Sequence, residues 1–250
     1  MRHLKLTVAY DGTEYCGWQI QNNGVSIQQK LEEGWTRFTS EKIRITASGR
    51  TDAGVHALAQ VCSLKTENQL PPERILRALN TYTPYDIAVT RVQEAPNGFH
   101  AIRDAVEKTY CYHLQYGRIQ DPLRLRTCWF LPGDLHVTAM AEAAVLLTGK
   151  HDFASFQSAG SDVNSTVRTI FRLHVESQMV NGFPTVQITV SANGFLYNMV
   201  RNIVGCLVEV GKERQQPEWV RWLIEQKNRS LGGQTAPANG LFLDHVIYDE

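Results

Sequence analysis

Ser48-Gly49-Arg50-Thr51-Asp52-Ala53-Gly54-Val55-His56-Ala57 is the densest run of chemistry-bearing residues in the chain, and it lies between two strand-like segments, Ile43 to Ala47 and Ala57 to Leu64. Gly49 and Gly54 around a charged pair predict a tight loop whose backbone can approach a ligand closely. A turn carrying a surface ion pair has the same composition. What flanks the loop decides the fold. Upstream, Leu4, Leu6, Val8 and Tyr10 alternate with their neighbours as in a half-buried strand, which stops at Asp11-Gly12. Ser26 followed by Gln29 has the form of a capping box, and Ile27, Leu31, Trp35 and Phe38 then recur at helical spacing. Downstream, Pro71-Pro72 opens a second helix through Ile75, Leu76 and Leu79, and a strand passes through Ile87 and Val89. The order is β-α-β-β-α-β.

The second half repeats that order loosely. A strand is expected at Thr109 to Tyr116, a helix at Thr138 to Leu147, and strands at Val167 to Glu176 and Thr185 to Ser191. Helices near Asn198 to Val210 and Pro217 to Gln226 and a strand near Leu241 to Tyr248 complete the chain. These elements predict an α+β protein of two split β-α-β, ferredoxin-like halves with antiparallel sheets, residues 1–105 and 106–250, flanking a central cleft in which a ligand can lie. The repetition is one of topology, not of sequence.

A chain of 250 residues that is 43% hydrophobic and 20% charged can bury a sizeable core, which excludes disorder as its default. Its 25 basic and 25 acidic residues balance, so any nucleic-acid binding rests on local patches. One such run is Lys108 to Arg126, where Lys108, Arg118, Arg124 and Arg126 meet only Asp121 and are interleaved with Tyr110, Tyr112 and Tyr116. Cations of this kind neutralise phosphates while rings stack on unpaired bases; an edge strand with solvated arginines is the other reading. Cys16, Cys62, Cys111, Cys128 and Cys206 are odd in number and scattered, which argues against a disulfide framework and for a reducing cytoplasm. The histidines show no metal-ligand spacing, so no metal and no cofactor is expected. Met1 to Tyr10 alternates where a secretory leader would be continuously apolar. Ser177 to Val200 is uncharged but broken by Gln178, Asn181, Pro184, Gln187 and Asn193, so no membrane span is expected.

The loop around Asp52 resembles the catalytic loop of TruA-type tRNA pseudouridine synthases, and the resemblance runs along nearly the whole chain. Ala9-Tyr10-Asp11-Gly12-Thr13, Gly17-Trp18-Gln19 and Ser26-Ile27-Gln28 are similar to the opening strand, loop and helix of that family. Phe99-His100-Ala101 with Lys108-Thr109-Tyr110 resembles the segment that supplies its active-site tyrosine. Gly149-Lys150-His151-Asp152-Phe153-Ala154-Ser155-Phe156, Arg168-Thr169-Ile170, Asn198-Met199-Val200-Arg201 and Ala236-Pro237-Ala238-Asn239-Gly240-Leu241 follow in the family's order. Two positions depart from the pattern. Ile102 stands where the family commonly has arginine, with Arg103 one place later, and Thr83-Pro84 replaces the usual Leu-Pro.

The resemblance implies a pseudouridine synthase fold, a homodimer, and isomerisation of uridine in the anticodon stem-loop of tRNA, at tRNA positions 38–40. It makes Asp52 the catalytic carboxylate. Such chemistry requires the nucleotide to be flipped out of its stack, and an ionised carboxylate is favoured by a nearby guanidinium. Arg201 follows 24 uncharged residues and opens an apolar helix, an expensive position for a cation without an anion partner, and it is assigned as the ion-pair partner of Asp52. A snorkelling surface arginine is the bland alternative. Arg50 would lie beside the carboxylate and fill the gap left by the flipped nucleotide or hold a phosphate. Tyr110 offers a ring to stack on the uracil and a phenol to take the C5 proton, although a half-buried strand tyrosine fits the same residue. Leu241 would close the pocket apolarly, or simply be core. His56 is given no catalytic part, because the family mechanism needs no such base.

Rival chemistries lack their residues. An aspartyl phosphatase would need D-x-D, which fails at Gly54, and a base-directed zinc deaminase would need P-C-x-x-C, which is absent. An inactive RNA-binding protein of the same fold would have no use for an ionised carboxylate facing an anionic strand.

Overall fold

Burial alternates along the first strand, β1 (Arg2–Tyr10), where Leu4, Leu6 and Val8 are fully buried and the residues between them are half-exposed. The computed structural model describes residues 1–160 and 163–249, and these divide into two compact units, one of residues 1–106 with 242–249 and one within residues 107–241. In the first unit β1 is followed by α1 (Ile27–Thr39), β2 (Thr46–Ala47), β3 (His56–Thr66), α2 (Pro72–Tyr82) and β4 (Ile87–Ala95). The Ser26 half of the capping box forms at the start of α1, with the Ser26 hydroxyl accepting from the Gln29 N–H at 3.2 Å while the Gln29 side chain donates to Glu33 (2.8 Å), and Ile27, Leu31 and Trp35 are buried along one stripe. Strand order is β4-β1-β3, antiparallel throughout, and β2 adds to β3 through Thr46↔Ser63 and Ala47↔Cys62. That is the arrangement of a split β-α-β unit. The last strand, β10 (Leu241–Tyr248), joins β3 in parallel through Phe242↔His56 and Leu243↔Ala57.

One expected strand is shortened. Ile43 to Ala47 pairs only at Thr46 and Ala47, because side chains of α1 take the backbone groups of Ile45: its N–H donates to Glu32 Oε1 at 2.9 Å and its carbonyl accepts from Gln28 Nε2 at 2.9 Å.

The second unit contains β5 (Ala105–Gly117, from Glu107 onward), β6 (Trp129–Pro132), α3 (Val137–Leu146), β7 (Gly149–Asp152), β8 (Val167–Val180), β9 (Phe183–Ala192), α4 (Met199–Gly211) and α5 (Trp219–Gln226). Its order is β5-β9-β8-β7, antiparallel, with β6 added in parallel to the end of β5. Helix α4 is the centre of this core: 11 of its 13 residues are buried, which its nearly all-apolar sequence requires. It runs against residues 233–236 so closely that a Cβ on Gly205 would sit 1.7 Å from the Gln234 carbonyl oxygen. Among the described residues no helix is long and apolar enough to cross a membrane.

Candidate active site

The residues from Ser48 to Val55 connect β2 to β3, and the loop is pinned along its length. At its entry the Ser48 N–H donates to the Val61 carbonyl (2.7 Å), the Ser48 hydroxyl bonds Gln60 Oε1 (2.6 Å), and Gln60 Nε2 donates to the Gly49 carbonyl (2.9 Å). In the middle the Thr51 hydroxyl bonds the Tyr10 phenol at 2.8 Å, and the Thr51 carbonyl accepts from the Trp18 N–H at 3.0 Å. A turn closed by Val55 N–H to Asp52 carbonyl (3.1 Å) then leads into β3, with Gly54 at φ 77° in the left-handed region. The effect is to bury Thr51 and Val55 while the side chain of Asp52 stays half-buried and that of Arg50 exposed. A Cβ on Gly17, whose φ is 105°, would meet the Thr51 carbonyl oxygen at 2.5 Å. The segment from Tyr10 to Trp18 is thus the wall of the loop, which gives the two N-terminal motifs a physical reason.

His56 belongs to the same support. Its buried ring stacks on Phe242 with centroids 4.6 Å apart, and Nδ1 accepts from the Gly12 N–H at 3.1 Å, which puts the proton of the neutral ring on Nε2. Asp11 Oδ1 lies 3.1 Å from the same nitrogen and also accepts from the Thr13 N–H (3.0 Å) and hydroxyl (2.6 Å).

In the second unit Tyr110 lies opposite Val190 in the β5–β9 ladder, 8% exposed, with its ring edge-on to Phe195 at 5.0 Å. Tyr112 follows on the same face of the strand. It is fully buried and its phenol donates to the Pro237 carbonyl at 2.7 Å; burial pushes its pKa up, against the pull of Arg201. Arg201 is the third residue of α4. Its Nε donates to the Ala236 carbonyl at 2.7 Å and its Nη1 to Asn198 Oδ1 at 2.9 Å, while its own carbonyl accepts from the Ala236 N–H at 3.1 Å. Asn198, at φ 58°, also donates to the Ser158 hydroxyl at 3.1 Å. Leu241 ends this unit, 5% exposed, after a single 3₁₀ turn over Ala238–Gly240 in which a Cβ on Gly240 would meet the Tyr112 ring at 2.6 Å. The second unit therefore brings together Arg201, the strand bearing Tyr110 and Tyr112, and the segment that ends at Leu241. The first holds Arg50 and Asp52.

The run from Lys108 to Arg126 does not form one basic and aromatic strip. Tyr110 and Tyr112 are buried, Tyr116 is half-buried, and Arg124 donates to the Thr185 hydroxyl at 3.2 Å; only Arg118 and Arg126 of its four cations are exposed. Sequence reading also passed over Asn202, which is fully buried one helical position after Arg201. Its Nδ2 donates to the Phe156 carbonyl (2.8 Å), and its Oδ1 accepts from Arg229 Nη2 (2.9 Å) and the Thr235 hydroxyl (2.7 Å). An Asn in a helix whose other polar residues are Arg201 and Glu209 was the available signal.

A family model described as tRNA pseudouridine synthase matches residues 6–103 and 143–249. The chain belongs to the tRNA pseudouridine synthase family. It is 41% identical over 248 residues to tRNA pseudouridine synthase A 2 of Clostridium perfringens, with 99% of this chain and 100% of that one covered. It is 42% identical over 248 residues, with the same coverage, to tRNA pseudouridine synthase A of Pelobacter propionicus, and 42% identical over 250 residues to that of Anoxybacillus flavithermus, where both chains are covered in full. As a tRNA pseudouridine synthase it is an isomerase that converts uridine to pseudouridine in tRNA. The segments matched by the family model contain Arg50, Asp52, Arg201 and Leu241; Tyr110 lies in the interval between them.

Proposed function

We propose that this tRNA pseudouridine synthase acts on uridines of the anticodon stem-loop, at tRNA positions 38–40, and that Asp52 is its catalytic carboxylate. The observation that supports this best is the pinning of the loop: Thr51 and the turn from Asp52 to Val55 fix the backbone on both sides of a carboxylate whose side chain is not itself buried. In this reading the target nucleotide is flipped from its stack. Asp52 serves as the ionised nucleophile or base while the bond between uracil N1 and ribose C1′ breaks. The uracil turns, C5 bonds to C1′, the proton on C5 leaves and N1, freed from the sugar, takes one up, so the product is an isomer and nothing else is consumed. Arg201 is the cation that keeps Asp52 ionised. The Tyr110 ring stacks on the uracil and its phenol takes the C5 proton, Leu241 closes the pocket, and Arg50 fills the gap in the RNA or holds a phosphate. The working form is a homodimer in the cytoplasm, a reducing compartment that suits five free cysteines.

The test is release of tritium from tRNA labelled at uridine C5, with mapping of the new pseudouridines. The parent protein releases label from the anticodon stem-loop. Asp52→Asn, nearly the same shape without the charge, abolishes release while binding tRNA within a few fold of the parent. Measurable turnover by Asp52→Asn removes the carboxylate from its role, and label released only elsewhere in the tRNA overturns the assigned site.

A further inference from the structure

The sheet of the first unit carries a second collection of cations at the end of β3 remote from the catalytic loop. Lys65 is nine residues beyond His56 on β3, about 30 Å along an extended strand. The register sets His3 opposite Lys65 and Lys5 opposite Ser63, on the face of β1 that Leu4, Leu6 and Val8 do not occupy. Thr46 also lies opposite Ser63, which carries the preceding Lys42 and Arg44 to the same place. The result is a cavity of about 300 Å³ whose lining includes His3, Lys42, Arg44, Lys65, Phe99 and His100 and no Asp or Glu. Lys42 and Lys65 are exposed and have no ion pair among the described residues, while Arg44 pairs with Glu32 at 3.6 Å. His100 Nδ1 accepts from the Ile102 N–H at 3.2 Å, which turns Nε2 into a donor. Just beyond, Lys5 lies over the rings of Phe99 (5.4 Å) and Tyr248 (4.2 Å), and burial and then the charge of Arg91 lower its pKa. Cations focused on a concave surface whose lining has no acid, two of them without an ion pair among the described residues, raise the local concentration of an anion. Lys65, at the end of β3 away from His56, is too far from the catalytic loop for the flipped uridine to be that anion.

We propose that this cavity is a phosphate-binding subsite that grips the RNA backbone well away from the reacting uridine, an inference that rests on the tRNA reading above. Phosphate contacts of this kind set the register of the RNA and carry no base information. The test replaces Lys42, Arg44 and Lys65 by Ala together in the full chain and measures tRNA affinity across a salt series beside turnover at saturating tRNA. The expected result is a Kd raised roughly tenfold, a log–log salt dependence shallower by about 3, and unchanged kcat. Lys65→Ala alone, a change at an exposed position, makes the slope shallower by about 1 and serves if the triple variant does not fold. Parental Kd and slope in these variants overturn the subsite while tritium release by the parent keeps the tRNA reading intact. A parent that releases no tritium fails the reading itself. Loss of kcat without loss of affinity also overturns the subsite. A final arm titrates inorganic phosphate while following the His100 ring by NMR: saturation that leaves tRNA affinity unaffected assigns the cavity to a free anion and overturns the RNA assignment.

Discussion

Arg201 has two of its guanidinium nitrogens committed within its own unit, Nε to the Ala236 carbonyl and Nη1 to Asn198 Oδ1, so the plane of the fork is fixed before any substrate arrives. A lysine at this position keeps the charge, but one ammonium on a flexible stem cannot reproduce two donors held in one plane. Arg201→Lys is therefore expected to lower kcat by at least about a hundredfold and to cost on the order of 1 kcal/mol of stability for the lost hydrogen bond. Single-turnover tritium release with a parallel urea titration checks both, and near-parental turnover would make Arg201 a structural residue. The sequence pointed to Arg201 because 24 uncharged residues precede it. It gave no sign of Ala236, since the partner is a main-chain carbonyl 35 residues on, and any residue there offers one. The Asn198 contact was more accessible: its spacing of three from Arg201 places both on one face of the first helical turn.

Helix α4 shows how an element carries such a residue into place. A Cβ on Gly205 would lie 1.7 Å from the Gln234 carbonyl oxygen and 2.9 Å from its carbon, both backbone atoms that cannot swing aside. Gly205→Ala is expected to destabilise the protein by about 3 kcal/mol or more, read as a lower urea midpoint, and to reduce turnover because Ala236, the partner of Arg201, lies in the displaced segment. The five α-helices of the described residues were each placed from the sequence, α1 by its periodic apolar pattern and α2 by Pro71-Pro72 with Ile75, Leu76 and Leu79, and β10 was legible over its full span of Leu241–Tyr248. The short strands were not. β6 (Trp129–Pro132) and β7 (Gly149–Asp152) have four residues each, too few for alternation to stand out, and β2 lost part of its ladder to Gln28 and Glu32 of α1. At the end of β7, Asp152 accepts from the Thr166 hydroxyl, Lys227 Nζ (2.9 Å) and the Ala154 N–H (3.2 Å), and its pKa falls below the ordinary value, first through the Thr166 bond and then through Lys227. A depressed folded pKa gives stability that is fully present above the unfolded value and lost as pH falls through the folded one. Asp152→Asn is expected to cost about 1 kcal/mol near neutrality, with the difference from the parent closing as pH drops below about 3.9. Urea midpoints across pH test this, and a constant difference would show that the charge of Asp152 contributes nothing.

For the molecule as a whole the question is how a neutral chain holds a large polyanion. With 25 basic and 25 acidic residues, attraction has to come from places where cations are gathered, such as the cavity near Lys65 and the exposed Arg118 and Arg126. A folded tRNA is far larger than any one of these. Two-fold pairing, the commonest symmetry of homo-oligomers, doubles every such place without altering a residue, and contacts made on both protomers multiply as an avidity. The expected active species is therefore a homodimer with one RNA in contact with basic surface of both chains. On dilution through the dimer dissociation constant, activity per chain should fall in step with the dimer fraction seen by sedimentation. The same contacts imply steep salt dependence, since each phosphate neutralised adds about 0.7 to 0.9 to the log–log slope. Charge reversal at Arg118 and Arg126 should then weaken tRNA binding and flatten that slope while kcat at saturating tRNA holds. Full activity per chain in a sample that sediments as monomer at the assay concentration would overturn the dimer.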